Sequence, residues 1–160
     1  MTTITIETYI QVPIDVCFDL ARDIELHCRT AASTQERAVA GVTTGLIGLG
    51  DEVTFEAVHF GLRQRLTARI TEFDPPHCFA DEMLRGAFKA LRHLHEFRAE
   101  GEGTLMTDTL TWTAPFGILG TLADKLFLKA HMRNFLQERN AKLKQIAEAE
   151  GSPLQPTNTR

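Results

Sequence analysis

Asp81, His93, His95 and Asp108 are the residues whose types and spacing allow them to do chemistry together. The stretch Asp81–Phe97, DEMLRGAFKALRHLHEF, reads as two strands of a hairpin. Side chains alternate between the faces of a strand, so Leu91, His93, His95 and Phe97 share one face, and Asp81 and Met83 join it across the turn. The opposite face carries Glu82, Leu84, Arg92, Leu94, Glu96 and Arg98 and suits water. Polar groups among apolar ones cost free energy unless they are paired. A carboxylate beside an imidazole fixes its tautomer and raises its basicity.

The pattern therefore predicts an internal polar cluster with two histidine–carboxylate pairs, Asp81–His93 and His95–Asp108. Such pairs can form a satisfied network that fixes strand register. They can orient a ligand, or act as general acid and base. A metal is their weakest use, because the pairing already engages each imidazole. No metal and no cofactor is expected.

The elements that must position these residues are legible as alternation and stripes. Residues 3–12 alternate, with Ile4, Ile6, Ile10 and Val12 on one face. A short helix follows, opened by Pro13 and carrying Val16, Phe18, Leu20 and Ala21, then a second around 24–29 and a weaker strand at 36–40. Gly41–Gly50 holds four glycines and reads as a mobile loop that gates a cavity. Strands near 51–60, 62–73, 77–86, 88–99 and 104–114 are spaced as an antiparallel meander. A helix over about 119–148 carries the stripe Leu122, Leu126, Ala130, Phe135, Leu136, Leu143 and Ile146, with Thr121 and Asp124 resembling a capping box.

Turn positions set the register. A two-residue turn at Phe60-Gly61 pairs Phe55 with Leu66. Pairing Ile70 with Phe79 sets Ala68 opposite Asp81 and Leu66 opposite Met83. A three-residue turn at Gly86–Phe88 sets Asp81 opposite His93 and Met83 opposite Leu91. A four-residue loop at 100–103 sets His95 opposite Asp108. The predicted ligand-facing set is Phe55, Leu66, Phe79, Asp81, Met83, Leu91, His93, His95, Met106, Asp108, Leu110 and Trp112. Ile70 and Phe97 complete the wall, and His59 falls at its rim. His27, His77 and His131 receive no role.

The 160 residues, 43% apolar and 24% charged, fit one domain with a genuine core over residues 1–150. The tail 151–160, GSPLQPTNTR, reads as disordered. A net charge of −4 steers the chain toward neither nucleic acid nor anionic membrane. No apolar run reaches the roughly 20 residues of a membrane span, and no signal peptide is evident. Cys17, Cys28 and Cys78 are odd in number and lack metal-like spacing, which fits a reducing cytoplasm.

The pattern Asp81-x-Met83-x-x-Gly86-x-Phe88-x-x-Leu91-x-His93-x-His95-x-Phe97, then Thr107-Asp108 and Ala114-Pro115-x-Gly117, resembles the START/SRPBCC superfamily. Within it the chain is similar to the small bacterial polyketide-cyclase/dehydrase-like branch, over about residues 2–148. The resemblance implies an α+β helix-grip fold, a seven-stranded curved antiparallel sheet around a long C-terminal helix. It also implies a cavity for apolar ligands such as lipids, sterols, polyketides or quinones. Some members are cyclases or aromatases, and others only carry ligand. Met83, Ala87 and Leu91 stand where the family often has Gln, Pro and Trp, which leaves a more apolar pocket.

The expected function is therefore binding of a small hydrophobic molecule. The alternatives are a cyclase, dehydratase or isomerase using a His–Asp pair, and a protein-facing regulatory module with an incidental cavity.

Overall fold

The computed structural model of the protein describes residues 1–115, 117, 122–123 and 127–150. Strand β1 (Thr2–Ile10) leads into helices α1 (Ile14–Ala21) and α2 (Ile24–Thr30) and a short 3-10 turn at Ala32–Thr34. Strands β2 (Arg37–Gly41), β3 (Glu52–His59), β4 (Leu62–Asp74), β5 (Cys78–Arg85), β6 (Ala90–Glu100) and β7 (Gly103–Thr113) follow, and helix α3 (Lys129–Glu150) comes last. The sheet has seven antiparallel strands in the order β1-β7-β6-β5-β4-β3-β2. Helix α3 packs on β1, α1 and α2. This is the helix-grip fold.

Phe60 and Gly61 both have positive φ, 53° and 74°, as a two-residue turn matched to strand twist requires. Phe55 accordingly faces Leu66. Between β6 and β7 the register is as expected, with His95 opposite Asp108 and Leu91 opposite Trp112. The connection is tighter than read, because Glu100 and Gly103 already pair.

The β4–β5 register differs from the sequence reading. Ala68 faces Met83, Ile70 faces Asp81 and Phe73 faces Phe79, with irregularities at Thr67/Ala68 and Ile70/Glu72. Asp81 and Met83 are displaced by two residues along β4, and beyond the Ile70/Glu72 irregularity Phe79 is displaced by three. Strand side chains repeat every second residue, so a two-residue displacement keeps every side chain on its face and leaves no trace in the pattern. Between β5 and β6, Asp81 faces His93, but pairing stops at Glu82–Arg92. Met83 and Leu91 are therefore not paired, and the strands splay toward Gly86–Lys89.

The C-terminal helix keeps Leu136 and Leu143 of the expected stripe buried, with Ile146 packed against the core, but its first part is turned away. Its buried face is Met132, Leu136, Arg139, Asn140, Leu143 and Ala147. Ala130 is exposed and Leu122 is 55% exposed. Ala130 sits two residues from Met132, roughly 200° round the helix. Reading only apolar residues as inward hid Arg139 and Asn140 and turned the stripe. Leu126, the Thr121–Asp124 cap and the tail 151–160 lie outside the described residues.

The segment 42–51 is a strap rather than a free loop. Ile24 N donates to Gly45 O (3.0 Å), Ile47 N to Arg22 O (3.2 Å) and Gly50 N to Ile70 O (2.9 Å). Arg22 Nη1 donates to Ile47 O (3.1 Å), and Ile47 is buried. Gly41 starts the strap with φ +73°, and a Cβ there would lie 2.2 Å from Glu52 O. Gly41→Ala is expected to lower stability by about 1–3 kcal/mol in urea denaturation, through left-handed strain and this collision. A change within a few tenths would contradict that reading.

On the outer face, buried Glu56 accepts from Arg37 Nη2 (2.6 Å), Arg65 Nε (2.9 Å) and Arg63 Nη1 (2.8 Å). Hydrogen bonds from Arg37, Arg65 and Arg63 hold its pKa at about 2.

Candidate functional site

The core consists of two apolar clusters separated by a polar belt. One cluster contains Ile10, Phe18, Phe79, Phe97, Met106 and Leu143. The other contains Ile4, Leu91, Leu110, Trp112, Met132 and Leu136. The belt is made by Thr8 on β1, Asp108 on β7, His93 and His95 on β6, Asp81 on β5, and Arg139 and Asn140 on α3.

Asp108 is the centre of the belt, with no exposed surface. Its Oδ1 lies 3.0 Å from His93 Nε2 and 2.6 Å from His95 Nδ1, and its Oδ2 accepts from Asn140 Nδ2 at 2.6 Å. The His95 contact is close but off the line of a good hydrogen bond, so it acts chiefly through charge. Asn140 Nδ2 also reaches Thr8 Oγ1 at 3.4 Å.

The expected Asp81–His93 side-chain pair does not form. Asp81 Oδ1 instead lies 3.8 Å from His95 Nε2, and both imidazoles turn toward Asp108. Backbone opposition is retained, but diagonal neighbours two residues along are within reach of ring side chains. The rings of His93 and His95 are 3.9 Å apart, and His95 stacks on Phe79 at 4.3 Å.

A cavity of about 380 Å³ opens beside this belt, between strands β3–β6 and α3. Of the residues predicted from sequence, Phe55, Leu66, Phe79, Asp81, Leu91, His93, His95 and Leu110 line it. Met83, Met106, Asp108 and Trp112 do not. Asp108 sits behind the imidazoles, and Met106 and Trp112 are sealed in the two clusters. Helix α3 packs against β1, at the same edge as β7, and fills the space over that strand. The hollow is left on the β3–β6 side. Met83 packs beside the second cluster near Phe88.

The profile of the family described as polyketide cyclase / dehydrase and lipid transport matches residues 1–148. The chain belongs to this family. No curated protein matches it in sequence. Among solved structures, TTHA0849 from Thermus thermophilus is similar at TM-score 0.78 and 24% identity, over 94% of this chain and 100% of that one. Ms6760 from Mycobacterium smegmatis is similar at 0.70 and 18%, over 92% of each chain. Ginseng major latex-like protein 151 from Panax ginseng is similar at 0.64 and 14%, over 95% and 98%. At these identities the likeness shows the fold.

Within this member of the polyketide cyclase / dehydrase and lipid transport family, the belt has uneven electrostatics. Burial, then the neighbouring His95 charge, pushes His93 down to about 4 against the pull of Asp108. Burial also opposes protonation of His95, but the charge and contact of Asp108, with Asp81, outweigh it and raise its pKa. Burial alone would raise Asp108 and Asp81, but the imidazoles outweigh it and hold both down, Asp108 well below its ordinary value. At neutral pH, His93 is thus neutral, donating its Nε2 proton to Asp108 and keeping Nδ1 as an acceptor. Burial, then Asp108, pushes the Cys17 thiol up to about 12, which makes it inert as a nucleophile.

These shifts fix the sign of the pH dependence. The His93 contribution falls as pH drops from 6.5 toward 4, where only the unfolded chain takes up protons. The His95 contribution is complete below 6.5 and is lost as pH rises through its folded pKa. Imidazole NMR should show one cluster histidine titrating near 4 and the other above 6.5. Joint titration close to 6.5 would contradict the assigned network.

Asp81, His93 and His95 offer ligand atoms within 4.8 Å of one another, a donor set some metals accept. Each imidazole, however, already turns one ring nitrogen onto Asp108, Nε2 of His93 and Nδ1 of His95.

Sequence reasoning missed Arg139, Asn140, His27, Glu36 and His131. Arg139 and Asn140 lie three and four residues beyond Leu136, squarely on the buried stripe, and that spacing was the available signal. His27 stacks on Phe55 at 4.5 Å and pairs closely with Glu36. His59 Nδ1 lies 3.0 Å from His131 Nε2 at the cavity wall. No local pattern announces those contacts, because each joins distant segments.

Proposed function

We propose that the protein binds a small hydrophobic molecule in the cavity between the sheet and α3. The observation that carries this reading is the cavity itself, about 380 Å³, lined by Phe55, Leu66, Ile70, Leu91 and Phe135 with a few convergent polar groups. Ligand pockets run from about 300 to 1,000 Å³ with this mixture of walls. Membership of a family described by cyclase, dehydrase and lipid-transport activities supports the same reading. Among the described residues, no helix is long and apolar enough to cross a membrane.

One observation favours a second reading, proton-transfer catalysis. Neighbouring imidazoles with opposed protonation preferences face the cavity, so His93 would act as base and His95 as acid. Native mass spectrometry of protein purified without detergent, followed by solvent extraction, tests the binding reading. A co-purifying apolar molecule is expected. Its chemical conversion by the protein, lost in His93→Gln, would favour the enzyme.

A further inference from the structure

We propose that Arg139 anchors an acidic head group, so that the ligand is an amphipathic carboxylic acid. This rests on the cavity-binding reading above. Arg139 is 3% exposed and lines the cavity. Its Nε and Nη1 are buried and have no hydrogen-bond partner among the described residues. A guanidinium stays charged at any ordinary pH, and a buried charge without a partner is strongly unfavourable. The belt does not relieve it. Asp108 is already taken by His93, His95 and Asn140, and Asp81 leans on His95. A guanidinium in the wall of an apolar hollow with no acceptor from the chain calls for acceptor oxygens from outside it.

The planar, weakly hydrated guanidinium suits a carboxylate. The remaining walls supply apolar contact for a tail. His95 lies near enough for the positive charge of Arg139 to oppose its protonation. The same charge opposes a cation at the Asp81–His93–His95 donor set and favours an anion.

Calorimetric titration of the full chain at neutral pH with decanoate, decan-1-ol and decylamine tests this. Decanoate should bind at least about tenfold tighter than decan-1-ol, a difference of roughly one good charged hydrogen bond, with decylamine weakest. Arg139→Met should remove that preference, and Arg139→Lys should keep part of it. The ligand-free Arg139→Met protein should melt no lower than the parent, because the lost guanidinium had no partner.

Equal binding of acid and alcohol by the parent, or decanoate binding unmoved by Arg139→Met, overturns the anchor and leaves the cavity reading standing. Tightest binding of decylamine also overturns it. Binding of none of the three removes both readings. Should Arg139→Met fail to fold, the parent's preference and the Arg139→Lys protein decide the matter.

Discussion

Asp108→Ala is expected to lower the stability of the fold by about 3–5 kcal/mol, the largest effect of any single belt substitution. The side chain has no exposed surface and receives His93, His95 and Asn140 at once. Removing it strands three polar groups between two apolar clusters. His95→Leu should be milder, about 1–3 kcal/mol, because Asp108 keeps His93 and Asn140. The double change His95→Leu with Asp108→Leu should recover part of the sum, since both members of the contact go together. Urea denaturation at neutral pH measures all of these. A loss below about 1 kcal/mol for Asp108→Ala would mean that the belt is not the polar keystone described above.

Filling the cavity should separate binding from folding. Ala57 and Ala68 are buried and line the hollow from β3 and β4. Ala57→Phe places a ring into empty space, so stability should hold or rise while affinity for decan-1-ol falls at least about tenfold. Leu62→Phe, at an exposed position, should leave binding unchanged. If Ala57→Phe binds as well as the parent, the ligand sits elsewhere.

The reason these substitutions can be named is that much of the fold was legible along the chain. Alternation in residues 3–12 and 88–99, and turn signals at Phe60-Gly61 and Glu100–Gly103, fix which side chains face inward. Whole-face shifts were not legible. A two-residue displacement between β4 and β5, as at Asp81 and Met83, preserves every face and leaves no trace in the pattern. The side-chain partners of the belt were partly hidden for the same kind of reason. Register gives the Cα neighbours of His93, but the diagonal reach of an imidazole to Asp108 depends on side-chain packing. Arg139 and Asn140 were obscured because an apolar stripe marks a buried helix face and these two buried positions are polar. Their positions beside Leu136 and Leu143 held the information, and polar residues on a buried face are where a core departs from mere packing.

The central claim is that a small apolar molecule occupies the space between β3–β6 and α3. Isotope-filtered NOE spectroscopy on methyl-labelled protein with decan-1-ol tests it most directly. The predicted result is contacts from the alkyl chain to Leu66, Leu91, Leu110 and Leu136, all of which line the cavity. Contacts confined to the exposed Leu49, Leu62 and Leu84, or none at all, would contradict it.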